Sequence, residues 1–150
     1  MNLEQKINEE MKAAMKSSDK LRLETLRSVR AAIIEFAKSG AAREMNSDDE
    51  IKILNALAKK RKDAITMYEQ AGRTEMKEQE ESELKIIQEF LPKQLSDEEV
   101  AEVIKGIITQ TGAVGSKDFG KVMGPSMKAL TGKADGNIVQ QLVKSLLGAE

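Results

Sequence analysis

Residues 84–108 read LKIIQEFLPKQLSDEEVAEVIKGII, and this stretch decides the fold. Apolar residues recur every three or four positions on both sides of Pro92, which is the spacing of an amphipathic helix. Proline disfavours the helical conformation of the residue before it, so the first helix is predicted to end there. Ser96 followed by Glu99 has the pattern of a capping box, which predicts that a new helix starts at once. The stretch therefore predicts two helices joined by a hinge over residues 92–95.

The same pattern extends in both directions along the chain. Four apolar stripes separated by breaks predict four helices in residues 1–92, and three further stripes predict three helices in residues 96–150. Ala, Glu, Lys, Leu, Met and Gln are abundant, and all of them favour helices. We therefore predict an all-α fold, with a four-helix N-terminal domain over 1–92 and a small three-helix C-terminal domain over 96–150.

Several helix ends are also predicted from the sequence. Residues 116–128 are expected to form the sixth helix, after the glycines that follow the fifth. Side chains that can accept hydrogen bonds from the first turn are predicted to cap the third, fourth and seventh helices, and these are Ser47 with Glu50, Thr74 and Asp135.

Composition excludes several classes of site. The chain has 150 residues, with no cysteine and no histidine. Disulfide frameworks, most zinc sites and the commonest pairs of base and nucleophile are therefore excluded. The N-terminus, MNLEQKINEE, is polar and acidic, unlike a signal peptide, and no run is long enough to span a membrane. We expect a soluble cytoplasmic chain with no membrane partner, no metal and no cofactor.

The formal net charge of −1 conceals an uneven distribution. Residues 12–43 contain eight basic and three acidic residues, whereas residues 75–102 contain three basic and ten acidic residues. Residues 105–150 again have an excess of basic residues, with six against three. Such asymmetry indicates either an anionic partner or complementary faces of one folded body, and both interpretations remain open.

Five charged residues fall inside or at the edge of apolar arcs in helical projection, and they are Arg22, Arg30, Arg61, Glu80 and Glu83. Buried charges persist only when they are paired, so we predict an internal Arg–Glu network that fixes how the helices dock. Arginines exposed for phosphate are the alternative, which the matching glutamates make weaker. Acid–base catalysis by the two carboxylates is a further alternative, for which no pocket or nucleophile is recognised in the sequence.

Residues 115–122 almost match a phosphate-binding P-loop. That loop needs Ser or Thr where Val122 stands, and it needs a strand where a helix is predicted, so nucleotide hydrolysis is rejected. Gly120 and Gly124 lie four residues apart on the predicted sixth helix, a spacing that suits close approach of another helix.

Four lysines near these glycines are candidate contacts for a nucleic acid, and they are Lys117, Lys121, Lys128 and Lys133. A glycine turn that contains Gly132 and Gly136 surrounds the last of them, and exposed backbone amides in such a turn suit phosphate. An ordinary solvated surface is the alternative interpretation.

Five stretches together resemble the YqeY family, in the order expected over nearly the whole chain. They are RLETLRSVRAAI at 22–33, RKDAITMYEQAGR at 61–73, IQEFLPKQL at 87–95, GKVMG at 120–124 and GKADG at 132–136. YqeY proteins are similar to the tail of the GatB subunit of tRNA-dependent amidotransferases, which helps to hold tRNA.

The resemblance implies a helical, tRNA-related helper that has the tail without the catalytic body of the large relative. A carbon–nitrogen ligase activity with glutamine as amido-N-donor would belong to that relative, so any enzyme activity of this chain is uncertain. By the resemblance, Lys121 and Lys133 are candidate RNA contacts. Arg22, Arg27 and Arg61 occupy family-typical positions without an assigned role.

Three hypotheses follow for the function. The first is a binding module for tRNA or for a complex that aminoacylates or amidates tRNA. The second is a protein–protein adaptor without RNA contact, which the acidic isoelectric point near 5.8 favours. The third, and least supported, is an enzyme of glutamine-dependent amide transfer. The small number of aromatic residues disfavours stacking on single-stranded bases and leaves phosphate contacts to folded RNA.

Overall fold

The computed structural model describes residues 1–40 and 43–148. In these residues the chain forms seven α-helices and one 3₁₀ turn, with no β-strand, so the all-α prediction is confirmed. The helices are α1 (Leu3–Lys16), α2 (Lys20–Lys38), α3 (Ser47–Gln70), α4 (Thr74–Gln88), α5 (Asp97–Thr111), α6 (Phe119–Leu130) and α7 (Gly136–Leu146), and the 3₁₀ turn is Ser116–Asp118. None of these helices is both long enough and apolar enough to span a lipid bilayer.

The first compact unit of the chain is Met1–Leu91, and it contains the four helices of the N-terminal part. Helix α1 packs along α2 and α3 packs along α4, while α2 also contacts both α3 and α4. Helices of this length are marginal in isolation, so the shared core supplies most of their stability. That core consists of Leu3, Ile7, Met11, Ala14, Leu26, Val29, Ile33, Leu54, Ala58 and Ile87.

The second compact unit begins at Pro92 and contains α5, α6 and α7, each of which contacts the other two. The Leu95 amide donates to the Lys133 carbonyl at 2.9 Å, and the Gln94 side chain donates to the Gly132 carbonyl at 2.6 Å. Residues 94 and 95 of the predicted hinge are therefore held within this unit by hydrogen bonds. The core consists of Val100, Ile104, Val122, Leu130, Val139, Val143 and Leu147.

The N-cap of helix α3 lies one residue earlier than predicted. The N-cap is Asn46, not Ser47: the Asn46 side chain accepts from the Asp49 amide, and the Asp49 carboxylate accepts from the Asn46 amide, both at 3.0 Å. Glu50, the predicted second member of the box, instead accepts from the Leu3 amide at 3.1 Å. Its carboxylate thereby satisfies an amide in the first turn of α1, which has no partner within its own helix.

Two of the remaining predicted ends are correct and two are not. Ser96 caps α5 in a capping box and Asp135 caps α7, as predicted. Thr74 is the first residue of α4 rather than its cap, and Arg73 precedes it without a capping side chain. The sixth helix, predicted over 116–128, is divided, because its first three residues form the tighter 3₁₀ turn before α6 begins.

Arg22 connects three helices of the first unit. Its guanidinium donates to Glu10 on α1 at 2.6 Å and to the Glu89 carboxylate just beyond α4 at 2.7 Å. The side chain is only 23% exposed, and the two carboxylates raise the pKa of the guanidinium above its ordinary value. The partners are thus Glu10 and Glu89, whereas the sequence predicted Glu80 and Glu83.

The other two predicted arginines differ from each other. Arg30 is exposed on α2 and makes no ion pair among the described residues. Arg61 is half-buried and donates to the Ser28 hydroxyl at 3.2 Å, while its Nε atom is buried without an acceptor. An arginine predicted inside an apolar arc is therefore half-buried in one helix and exposed in the other.

Glu80 and Glu83 form a pair of carboxyl groups one turn apart on α4. Burial, followed by repulsion from Glu80, raises the pKa of Glu83, and the positive charge of Arg61 partly opposes that shift. The Glu83 carboxyl also shares a hydrogen bond with Glu80, which favours its protonated form.

Ser126 is fully buried on the inner face of α6, and its hydroxyl makes no hydrogen bond in the described part of the chain. Burial of a hydroxyl without a partner destabilises the folded state. This group is therefore a specific defect in an otherwise apolar core.

Replacing Arg22 with Ala should destabilise the first unit by about 1–2 kcal/mol, because two charge-assisted hydrogen bonds are lost. Arg27→Ala is the matched control, since Arg27 is exposed and should change the free energy of unfolding by less than about 0.5 kcal/mol. Urea denaturation followed by circular dichroism measures both values. Equal stability of the two variants would contradict the bridging role of Arg22.

Replacing Glu83 with Gln should stabilise the protein at pH 7 and leave it unchanged at pH 4. A carboxyl whose pKa is raised on folding binds its proton more tightly when folded, so its contribution to stability falls as pH rises above the ordinary value of 4.5. The gain should stay below about 1 kcal/mol because the group is partly solvated. Thermal melts of both proteins from pH 4 to pH 8 test this. A difference that grows towards low pH would have the wrong sign.

Replacing Ser126 with Ala should raise the free energy of unfolding by about 1 kcal/mol, because the unpaired hydroxyl is removed. Ser145→Ala, at an exposed position of α7, controls for the better helix propensity of alanine. Denaturation midpoints of the two variants are compared with that of the wild type. A loss of stability in Ser126→Ala would show that the hydroxyl has a partner in solution.

Candidate nucleic-acid interface

The position of each candidate lysine follows from which face of α6 is buried. Val122, Ser126 and Leu130 recur at intervals of four residues and are fully or almost fully buried against α5 and α7. At about 100° per residue, Lys121 and Lys128 project to the opposite side of the helix. Both are exposed, and they lie about 10 Å apart along the helix axis.

Gly124 is exposed between these two lysines on the same side of α6. We call Lys121, Gly124 and Lys128 the lysine face. A Cβ atom built on Gly124 would meet no atom of another element within 4 Å. The backbone here is therefore open to close approach from outside, with a lysine on either side.

Gly120 lies at the edge of the lysine face and is equally open. The sequence predicted that Gly120 and Gly124 allow another helix to pack closely. Among the described residues no helix packs against either of them. Gly136, by contrast, is packed tightly, since a Cβ there would lie 3.3 Å from the Met127 side chain.

Lys117 lies in the 3₁₀ turn rather than on the same helix as Lys121. It is exposed, and Lys121 is 65% exposed although Asp118 lies 3.9 Å from its ammonium group. Asp118 is itself only 15% exposed and accepts from the Val114 amide at 3.0 Å. The two lysines therefore add positive charge at the N-terminal end of α6.

Lys133 lies beyond the C-terminal end of α6, next to Gly132, which has a φ of 76°. The amides of Lys133 and Ala134 both donate to the Leu130 carbonyl, at 2.9 and 3.2 Å. These two amides therefore cap α6 and are unavailable to phosphate. The Lys133 side chain is exposed and remains available as a contact.

The sequence prediction overlooked the outer face of α7. Lys144 there lies over the Phe119 ring, with its ammonium group 5.9 Å from the ring centroid, and so joins the N-terminal end of α6. The exposed polar residues Asn137, Gln140 and Gln141 extend the same face. Because the inner face of α7 is strongly apolar, helical periodicity alone would have identified these outward positions.

The predicted residues thus lie along α6 and in the turns at its two ends. Lys117 and Lys121 lie near its beginning, and Lys128 and Lys133 lie near its end. Over residues 1–40 and 43–148, no group of three or more acidic side chains is arranged to hold a metal ion. The arrangement can attract phosphates along one exposed helix through charge alone.

The sequence of this chain is similar to those of known proteins. The chain is 25% identical over 150 residues to altered inheritance of mitochondria protein 41, mitochondrial, of Pyrenophora tritici-repentis, and the match covers 97% of this chain and 81% of that protein. It is 32% identical over 96 residues to an uncharacterised protein of Schizosaccharomyces pombe, covering 64% of this chain and 77% of the relative.

A third similarity involves a much larger protein. One of the glutamyl-tRNA(Gln) amidotransferase subunits of Methanobrevibacter smithii is 44% identical over 54 residues, which cover 33% of this chain and 9% of that protein. The family model described as Yqey-like protein matches residues 4–147, nearly the whole length of the chain. The chain therefore belongs to the Yqey-like protein family.

Proposed function

We propose that this protein binds folded tRNA, or a complex that carries tRNA, through the lysine face of α6 and the lysines at its two ends. The observation that carries the proposal is the outward position of Lys121 and Lys128 with the open backbone of Gly124 between them. The ribose–phosphate backbone of an RNA can approach such a helix closely, and lysine supplies the charge that phosphate contacts require.

The chemistry of the surface favours folded RNA over a single strand. Only Phe36, Phe90, Phe119 and Tyr68 are aromatic in the whole chain, and Phe119 packs against the second core beneath Lys144. This surface is therefore poorly suited to stacking on unpaired bases. The amides of Asn137, Gln140 and Gln141 supply donors and acceptors that suit 2′-hydroxyl groups.

The partial similarity to an amidotransferase protein supports a tRNA-related role. That relative is named for an enzyme that acts on glutamyl-tRNA(Gln), and this chain matches only a small part of it. We propose the binding role alone, in the cytoplasm, and we do not carry the amide-transfer chemistry over to this chain. The proposal includes contact with a complex that carries tRNA as well as with free tRNA.

Converting Lys121 and Lys128 together to Glu should weaken the binding of tRNA and reduce its dependence on salt. Each lost phosphate contact should lower the slope of log affinity against log salt by roughly 0.9 or less. Bulk tRNA is titrated with the full chain at several salt concentrations, and binding is followed by fluorescence anisotropy. Lys117→Glu and Lys133→Glu, made singly, should give smaller changes of the same kind.

Lys93→Glu with Lys105→Glu is the matched control. Both residues are exposed in the same unit, outside α6, and the change in net charge is identical. If the control weakens binding as much as the variant on the lysine face, the effect is due to net charge and the assignment is wrong. If the wild type does not bind tRNA even at low salt, the proposal fails altogether.

A further inference from the structure

Helix α2 presents an outer stripe whose composition differs from that of the lysine face. Leu23, Arg27, Arg30 and Ile34 are separated by four, three and four residues, so they project within an arc of about 60° over about 16 Å of helix. Arg27 and Arg30 are exposed, Ile34 is 42% exposed, and Leu23 is half-buried at the edge of the core. We call these four residues the arginine stripe.

The two arginines are uncompensated. In the described part of the first unit, several other cations have acidic partners: Arg22 pairs with two carboxylates, and Lys59 and Lys77 pair with one and two others. The side chains of Arg27 and Arg30 make no ion pair and no hydrogen bond there. They stand one turn apart on the same helix, a spacing at which like charges repel.

No acidic residue of α2 lies three or four positions from Arg30. The residues three and four positions before and after Arg30 are all either apolar or Arg27 itself. Glu24 lies three residues before Arg27, but it makes no ion pair with it and instead adds negative charge near Glu83. An anionic group from outside the described structure would therefore relieve the repulsion.

We propose that the arginine stripe docks an acidic amphipathic helix of a partner protein. Spacings of four, three and four residues are those by which two helices pack side by side at a shallow angle. Apolar side chains of the partner would contact Leu23 and Ile34 at the two ends. Glutamate or aspartate side chains between them would pair with the forked guanidinium groups of Arg27 and Arg30.

The apolar ends of the stripe distinguish this partner from RNA. A phosphate backbone would gain nothing from Ile34, whereas a helix would bury it together with the aliphatic stems of the arginines. Charged residues between apolar anchors also fix the register of a helix pair, because a shifted partner leaves the charges unmatched. This inference is independent of the proposed function, since it concerns another unit and another class of partner.

The test uses three labelled synthetic helices of about 18 residues, or five turns. The acidic probe has Leu, Glu, Glu and Leu at spacings of four, three and four on an alanine-rich background. The swapped probe has Lys in place of both Glu residues, and the scrambled probe has the acidic composition without the spacing. Fluorescence anisotropy with the full chain should show the acidic probe bound at least about tenfold more tightly than the scrambled probe.

The double variant Arg27→Glu with Arg30→Glu should lose at least about tenfold in affinity for the acidic probe and should gain affinity for the swapped probe. Lys12→Glu with Lys16→Glu makes the same charge change on exposed positions of α1 and should leave both affinities unchanged. Circular dichroism melts check folding. Arg27→Gln with Arg30→Gln, which removes charge without reversing it, is the second variant if the first does not fold.

Two results would overturn the proposal. In one, the acidic and scrambled probes bind the wild type equally well, or neither binds. In the other, the reversed variant binds the acidic probe as the wild type does, or loses affinity for tRNA while its response to the probes is unchanged. The tRNA result would identify the stripe as a phosphate surface instead.

Discussion

Each helix of this protein must bury one apolar face, and that constraint determines which side chains are exposed on the opposite face. On α6, burial of Val122, Ser126 and Leu130 holds Lys121 and Lys128 outward. The amides of Lys133 and Ala134 end the helix at Leu130 and so set the place of the last lysine. The outward positions of Lys121 and Lys128 are therefore a consequence of the packing of α6.

In the first unit, ion pairs add to the stability that burial of apolar side chains provides. Arg22 holds a carboxylate from α1 and another from the end of α4, so it fixes elements that are distant in sequence. Its three-way contact requires a planar guanidinium, since lysine has no comparable fork. A charged side chain that is paired in this way helps to hold the helices together. The exposed side chains of Arg27 and Arg30 have no such partner among the described residues.

The sequence was sufficient to predict the number, order and approximate bounds of the helices, because periodicity and caps are local. It was not sufficient to orient the charged residues that fall inside apolar arcs. Arg22 and Arg30 flank the same stripe symmetrically, yet α1 and α4 supply carboxylates to the first and no partner to the second. Likewise, glycine spacing identified the turn at Gly132, but the use of its amides as a cap depends on three-dimensional hydrogen bonding.

The two outer surfaces differ in the kind of partner that each can recognise. The lysine face combines flexible point charges with an open glycine backbone, so it tolerates many phosphate geometries and carries little sequence information. The arginine stripe combines two rigid forks with apolar ends at fixed spacing, so it demands a partner of defined register. If both proposals hold, a general electrostatic contact and a specific helical contact on separate compact units would together bring a nucleic acid to a chosen protein.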